Sequence, residues 1–122
     1  MDIILAHRQI DFDALASMVA AQKLYPNSVL VMDGKPNVYV QDFLALTKDQ
    51  LRFRKAGDIN LNEVSRVILV DTHELQRVGT LGEKVAGIPE VEVEIYDHHP
   101  YAGKLEPGMV IEPVGACATL LV

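Results

Sequence analysis

Ile3-Ile4-Leu5-Ala6-His7-Arg8-Gln9-Ile10-Asp11-Phe12-Asp13-Ala14-Leu15-Ala16-Ser17 is the stretch from which the fold follows. Ile3 to Ala6 reads as a buried strand. The small and apolar run from about Asp13 to Tyr25 reads as a helix, closed by Pro26-Asn27. A second apolar run, Val29 to Met32, ends in the turn signal Asp33-Gly34-Lys35-Pro36. Strand, helix and strand in about thirty residues make a βαβ unit, and hence a parallel sheet with a right-handed crossover. His7, Asp11 and Asp13 lie between the first strand and the helix, at the strand's carboxyl end, where open parallel sheets bind ligands. Carboxylates are hard oxygen donors, and imidazole extends the choice of divalent cation to manganese, zinc or iron.

Outward from this unit, Asn37 to Thr47 reads as a short helix. Lys48 to Lys55 reads as a solvated connector whose Lys48, Arg52, Arg54 and Lys55 form a basic patch. The functional reading of that patch is a guide for a phosphate chain, with Phe53 stacking on a base. Arg66-Val67-Ile68-Leu69-Val70 is the clearest buried strand and ends at Asp71-Thr72-His73-Glu74. Gly79 to Gly87 suggests another short helix. Val91 to Tyr96 alternates like a half-buried strand nearer the sheet edge and ends at Asp97-His98-His99-Pro100. Tyr101 to Pro107 reads as loop, Met109 to Ile111 as a last short strand, and Gly115 as the opening of a final helix. The expected fold is α/β, a three-layer α/β/α arrangement around a mainly parallel sheet.

The 122 residues suit one domain, and 49% hydrophobic content is ample for a core. No apolar run reaches the length of a membrane span, and no signal peptide is read. A single cysteine, Cys117, excludes an internal disulfide and fits a cytoplasmic setting. A net charge of −6 argues against a surface that coats nucleic acid, although cations bound to clustered carboxylates would reverse the local sign. The chain stops at Ala116 to Val122 within an apparent helix, which leads us to expect a piece of a longer polypeptide.

Three strand ends carry the same chemistry: His7 with Asp11 and Asp13, then Asp71, then Asp97-His98-His99. Each alone is ordinary, since an aspartate after a strand is often a helix cap or turn residue. Gathered on one sheet edge, unpaired carboxylates would repel and raise one another's pKa, and a cation removes that cost. With so many donors, two cations sharing a bridging carboxylate is a natural solution for activating water against a phosphoryl group. Asp71, from the central strand, is the best-placed bridge.

These motifs resemble those of the N-terminal, Rossmann-like domain of the DHH phosphoesterase superfamily. That superfamily includes RecJ-type single-strand exonucleases, oligoribonuclease/phosphatases that degrade nanoRNA and pAp, family II inorganic pyrophosphatases and exopolyphosphatases. The resemblance rests on His7 to Ala14, on Val70-Asp71-Thr72-His73, on Asp97-His98-His99-Pro100, and on Glu112 to Thr119. It implies a two-metal site, usually manganese, with magnesium, cobalt or zinc as other candidates. His7, Asp11 and Asp71 would bind one cation and Asp13, Asp71 and His98 the other. His99 would face the substrate phosphate as charge stabiliser or proton donor, and Asp97 would orient its neighbours. Among substrate contacts, Arg8 would pair with substrate or lie in solvent, and His73 would touch phosphate or cap its turn. Gly115 would aim backbone N–H groups at an anion or merely start a helix. The implied activity is hydrolysis of a phosphodiester or phosphoanhydride: an oligonucleotide, pAp, pyrophosphate or polyphosphate.

The chain departs from the pattern in one respect. Family members carry a further metal-binding aspartate and a second, substrate-selecting domain after the third motif, and the 23 residues beyond His99 contain no aspartate. The stretch Pro36 to Arg77 is most similar to DHH domains at the N-terminus of bacterial poly(A) polymerase/tRNA nucleotidyltransferase fusion proteins. That likeness makes the alternative a nucleic-acid- or nucleotide-binding accessory module. Expected partners are a phosphate-containing small molecule or single-stranded nucleic acid, and further domains of the same polypeptide, with no membrane.

Overall fold

Strands without a polar face must be covered on both sides. Ile3, Ile4 and Leu5 and the run from Val67 to Val70 have no solvent exposure at all. They form the middle of a six-stranded sheet in a computed structural model that describes residues 1–7, 10–47, 50–72, 78–97 and 109–111. In chain order the elements are β1 (Asp2–Leu5), α1 (Phe12–Leu24), β2 (Val29–Met32), α2 (Val38–Leu46), β3 (Phe53–Lys55), β4 (Arg66–Val70), α3 (Gly79–Ala86), β5 (Glu92–Asp97) and β6 (Met109–Ile111). The strand order is β3-β2-β1-β4-β5-β6, and every neighbouring pair is parallel.

Alternation along the strands divides the core into two layers. Ile4, Leu30, Ile68 and Val70 face α1 and α2, which contribute Ala14, Leu15, Met18, Ala21 and Val40. Ile3, Leu5, Val67, Leu69 and Ile95 face the other way, onto Leu81 and Val85 of α3. The connection from β3 to β4 has no α-helix. Two short 3-10 turns, Ala56–Asp58 and Leu61–Glu63, cross the α3 side, and Ile59 and Val64 plug into that layer. The result is the expected three-layer α/β/α fold. β5 lies one strand in from the edge, as its alternating sequence suggested.

One expectation is corrected. Residues 48–55 read as a connector, yet Phe53–Lys55 forms edge strand β3, pairing Leu30 with Phe53 and Met32 with Lys55. A three-residue strand carrying two cations has no periodic signal. What recruits it is the open edge of β2, whose backbone groups need partners. The final helix expected from Gly115 lies outside the described residues. No helix among the described residues is long and apolar enough to cross a membrane.

Candidate metal centre

The chain moves outward from β1 through β2 to β3, then returns and moves the opposite way from β4 through β5 to β6. The neighbours β1 and β4 therefore flank the topological switch point, where parallel sheets open a crevice at their carboxyl ends. Leu5 pairs with Leu69, and carrying that register two residues further sets His7 beside Asp71. In the same way Val70 pairs with Tyr96, so the next step sets Asp71 beside Asp97. The backbone N–H of Asp71 donates to the Tyr96 carbonyl at 2.9 Å, which continues the ladder to the rim.

Three side chains converge there. His7, Asp11 and Asp71 each offer one ligating atom, and the three atoms lie within 4.8 Å of one another. His7 Nε2 is 3.5 Å from Asp71 Oδ2. Asp71 is buried and Asp11 exposed, with His7 between, so the group opens outward from a buried base. Asp11 also caps α1, its Oδ1 accepting the Ala14 N–H at 2.9 Å. A carboxylate has two oxygens, so the cap leaves a second donor for a cation. The ordinary reading of this aspartate and the metal-ligand reading are thus compatible.

Asp71 has φ of +60°, the left-handed region that non-glycine residues rarely enter. Aspartate tolerates this conformation better than most residues, and such outliers gather at functional sites. Immediately after a fully buried strand, that backbone turn brings the carboxylate back over the sheet edge. No pattern in the sequence announces it.

The electrostatics match the geometry. His7 is held protonated above its ordinary range, chiefly by its hydrogen bond with Asp71. Burial opposes this, and the charges of Asp71, Asp11 and Asp97 add to it. A cation at this point, whether a proton or a metal, relieves the gathered carboxylates. Mixed imidazole and carboxylate donors fit manganese, zinc or iron.

The remaining expected site residues fall in three groups. Asp13 lies in the first turn of α1, half-buried, and is not part of the close group. Asp97 is the last residue of β5 and completely buried, in register beside Asp71. Arg8, His73, His98, His99 and Gly115 lie outside the described residues. Asp33, read from the sequence as a turn residue, stands in the register position next to His7 on β2. Its carboxylate turns to the start of α3, where Leu81 N–H donates to Oδ2 at 3.4 Å.

A parallel sheet with His and Asp donors at its switch point, carrying the three ordered motifs, defines the class: this is a DHH-like α/β domain. Among individual proteins, the chain is 41% identical to an A-adding tRNA nucleotidyltransferase of Geobacter sulfurreducens, across 99% of the chain and 14% of that relative. It is 28% identical to the corresponding enzyme of Aquifex aeolicus, across 98% of the chain and 13% of the relative. A probable manganese-dependent inorganic pyrophosphatase of Shouchella clausii is 32% identical, across 98% of the chain and 38% of the relative. No family model matches the chain. The chain therefore spans about a seventh of the length of the two nucleotidyltransferases it matches.

Proposed function

We propose that residues 1–122 form the catalytic domain of a divalent-metal-dependent phosphoesterase that hydrolyses a phosphodiester or phosphoanhydride in the cytoplasm. The observation that carries this reading is the convergence of His7, Asp11 and Asp71 at the switch point of the sheet. The likeness to a probable manganese-dependent pyrophosphatase supports manganese as the cation. When bound, a pair of such cations supplies Lewis acidity at a phosphoryl oxygen and acidifies water toward neutral pH.

The protein's own groups do the rest. His7 and Asp11 hold one cation, Asp13 and His98 the second, and Asp71 is shared. Asp97, buried and in register beside Asp71, fixes the orientation of the ligands around it. His99 stabilises the phosphoryl charge or gives a proton to the leaving oxygen, and Arg8, His73 and Gly115 receive the phosphate. Pyrophosphate or polyphosphate, pAp and short oligonucleotides are the candidate substrates.

A second reading rests on the 41% identity to a tRNA nucleotidyltransferase. Here the domain is an accessory that binds nucleotide or single-stranded nucleic acid for further domains of the same polypeptide. Phosphate release from pyrophosphate, pAp and an oligoribonucleotide, measured with manganese on the full polypeptide and on Asp71→Asn, separates the two. Hydrolysis lost in the variant supports the phosphoesterase. No hydrolysis by the unaltered protein, together with retained RNA binding, supports the accessory and ends the first reading.

A further inference from the structure

Beside the candidate metal centre, a separate cleft of about 590 Å³ opens at the carboxyl ends of β2 and β3. That volume lies within the range of small-molecule sites. Its floor is apolar: Met32, Leu44, Leu51 and Phe53 line it, all half-buried. Among the described residues its rim is cationic, with Lys35, Arg54 and Lys55 against the one carboxylate of Asp33. Three cations there contrast with a chain of net charge −6.

The arrangement of these groups is specific. Phe53 and Lys55 occupy alternate positions of β3 and so share one face of that strand. Phe53 packs against the layer formed with α1 and α2, so its ring closes the floor while the Lys55 ammonium stands one strand step away on the rim. Arg54, on the other face, donates to the Asp58 carbonyl at 3.4 Å and holds the turn that borders the cleft. Asp33 is engaged by Leu81 N–H at the start of α3, which draws its charge away from the lysines. On the α2 side, Gln41 donates through Nε2 to the Pro36 carbonyl at 2.9 Å. That contact fixes the side chain and leaves its carbonyl oxygen as an acceptor for a ligand's amino group.

We propose that this cleft binds a nucleoside phosphate, its base laid on the Phe53, Leu44 and Leu51 floor and its phosphate held by Lys35 and Lys55. An aromatic and aliphatic floor takes any planar base, and exposed ammonium groups take phosphate as point charges. The assignment does not depend on the metal centre and goes beyond the proposed hydrolysis. Of the two sequence readings of the basic stretch, a solvated connector and a guide for a phosphate chain, it favours the second. The shared chemistry belongs equally to a free nucleotide and to the terminal nucleotide of an RNA.

Calorimetric titration of the full polypeptide in EDTA tests it, because chelation separates this site from the His7, Asp11 and Asp71 group. The probes are AMP, adenosine, inorganic phosphate and the dinucleotide pApA. AMP is expected to bind more tightly than adenosine or phosphate alone. Lys35→Glu with Lys55→Glu should weaken AMP about tenfold or more. Phe53→Leu should weaken AMP severalfold and leave phosphate unchanged. Lys84→Glu on α3, which makes the same charge change as either rim substitution alone, is the control and should leave AMP affinity within about twofold. Tighter binding of pApA than AMP assigns the cleft to an RNA end, and equal binding to a free nucleotide. No AMP binding at millimolar concentration overturns the proposal, as does an equal loss in Lys84→Glu. Circular dichroism of each variant confirms that the sheet is intact. These substitutions lie at exposed positions or on an edge strand.

Discussion

His7 and Asp71 meet with Nε2 3.5 Å from Oδ2 because β1 and β4 are adjacent, parallel and in register. Neither side chain reaches across a fold-scale gap. The two follow strands whose apolar residues have no other way to be buried. A strand pairing fixed by the core thereby delivers an imidazole and a carboxylate to one point on the rim.

The left-handed backbone at Asp71 makes its side chain unusually hard to replace. In EDTA near about pH 9, where the His7 pair no longer contributes, Asp71→Asn should remain close to the unaltered protein in stability, because asparagine tolerates this conformation. Asp71→Val should lose about 1–2 kcal/mol more than Asp71→Asn, since a β-branched residue with positive φ is strained. Urea unfolding of the two variants checks this, and equal stabilities would mean that the turn is relaxed.

Asp11 allows its two roles to be separated. Asp11→Asn keeps an N-cap acceptor for Ala14 N–H and should be nearly neutral in metal-free stability. Asp11→Ala should cost about 1 kcal/mol. Both should weaken manganese uptake measured by calorimetry. An alanine variant as stable as the asparagine one would show that the cap contributes nothing.

The pH dependence follows from His7, whose pKa is raised chiefly by its hydrogen bond with Asp71. A raised folded-state value means that the pair's stabilisation is fully present below the unfolded imidazole value of about 6.5. It is lost as pH rises through the higher folded value. In EDTA, the difference in Tm between the protein and His7→Gln should be larger near about pH 6 than near about pH 9. A difference independent of pH would remove His7 from the carboxylates' influence.

Gly79 stands in the left-handed region and close against the Asp33 side chain. Its φ is +71°, and a Cβ there would lie 2.0 Å from Asp33 Oδ2. Gly79→Ala should therefore destabilise by about 1–3 kcal/mol. Asp33→Ala combined with Gly79→Ala should recover the part caused by the clash but not the part caused by the backbone. Additive losses in the double variant would show that the two residues are uncoupled.

If Asp71 serves two cations and Asp13 one, Asp71→Asn should cost more hydrolysis than Asp13→Asn in the full polypeptide. Phosphate release at saturating manganese measures this. Equal losses would argue against a shared carboxylate.

Most of the sheet is legible in the residues themselves. Ile3 to Ala6, Val29 to Met32 and Val67 to Val70 are apolar on both faces, and a two-sided apolar strand belongs inside a parallel sheet. The break after each, with aspartate or histidine, marks the carboxyl edge where chemistry collects. β3 was not legible, because Phe53-Arg54-Lys55 becomes a strand only when the edge of β2 is there to pair with it.

The amino-acid order by itself determined the βαβ frame, the candidate donors His7, Asp11 and Asp71, and the edge of the sheet on which these three lie. These follow from periodicity and from where apolar runs stop. Only the tertiary structure decided that His7 and Asp71 are neighbours, that Asp71 turns with a left-handed backbone, and that Lys35 and Lys55 rim an apolar cleft. Each of those depends on strand register or on a packed partner far away in the chain, and no local pattern carries that information.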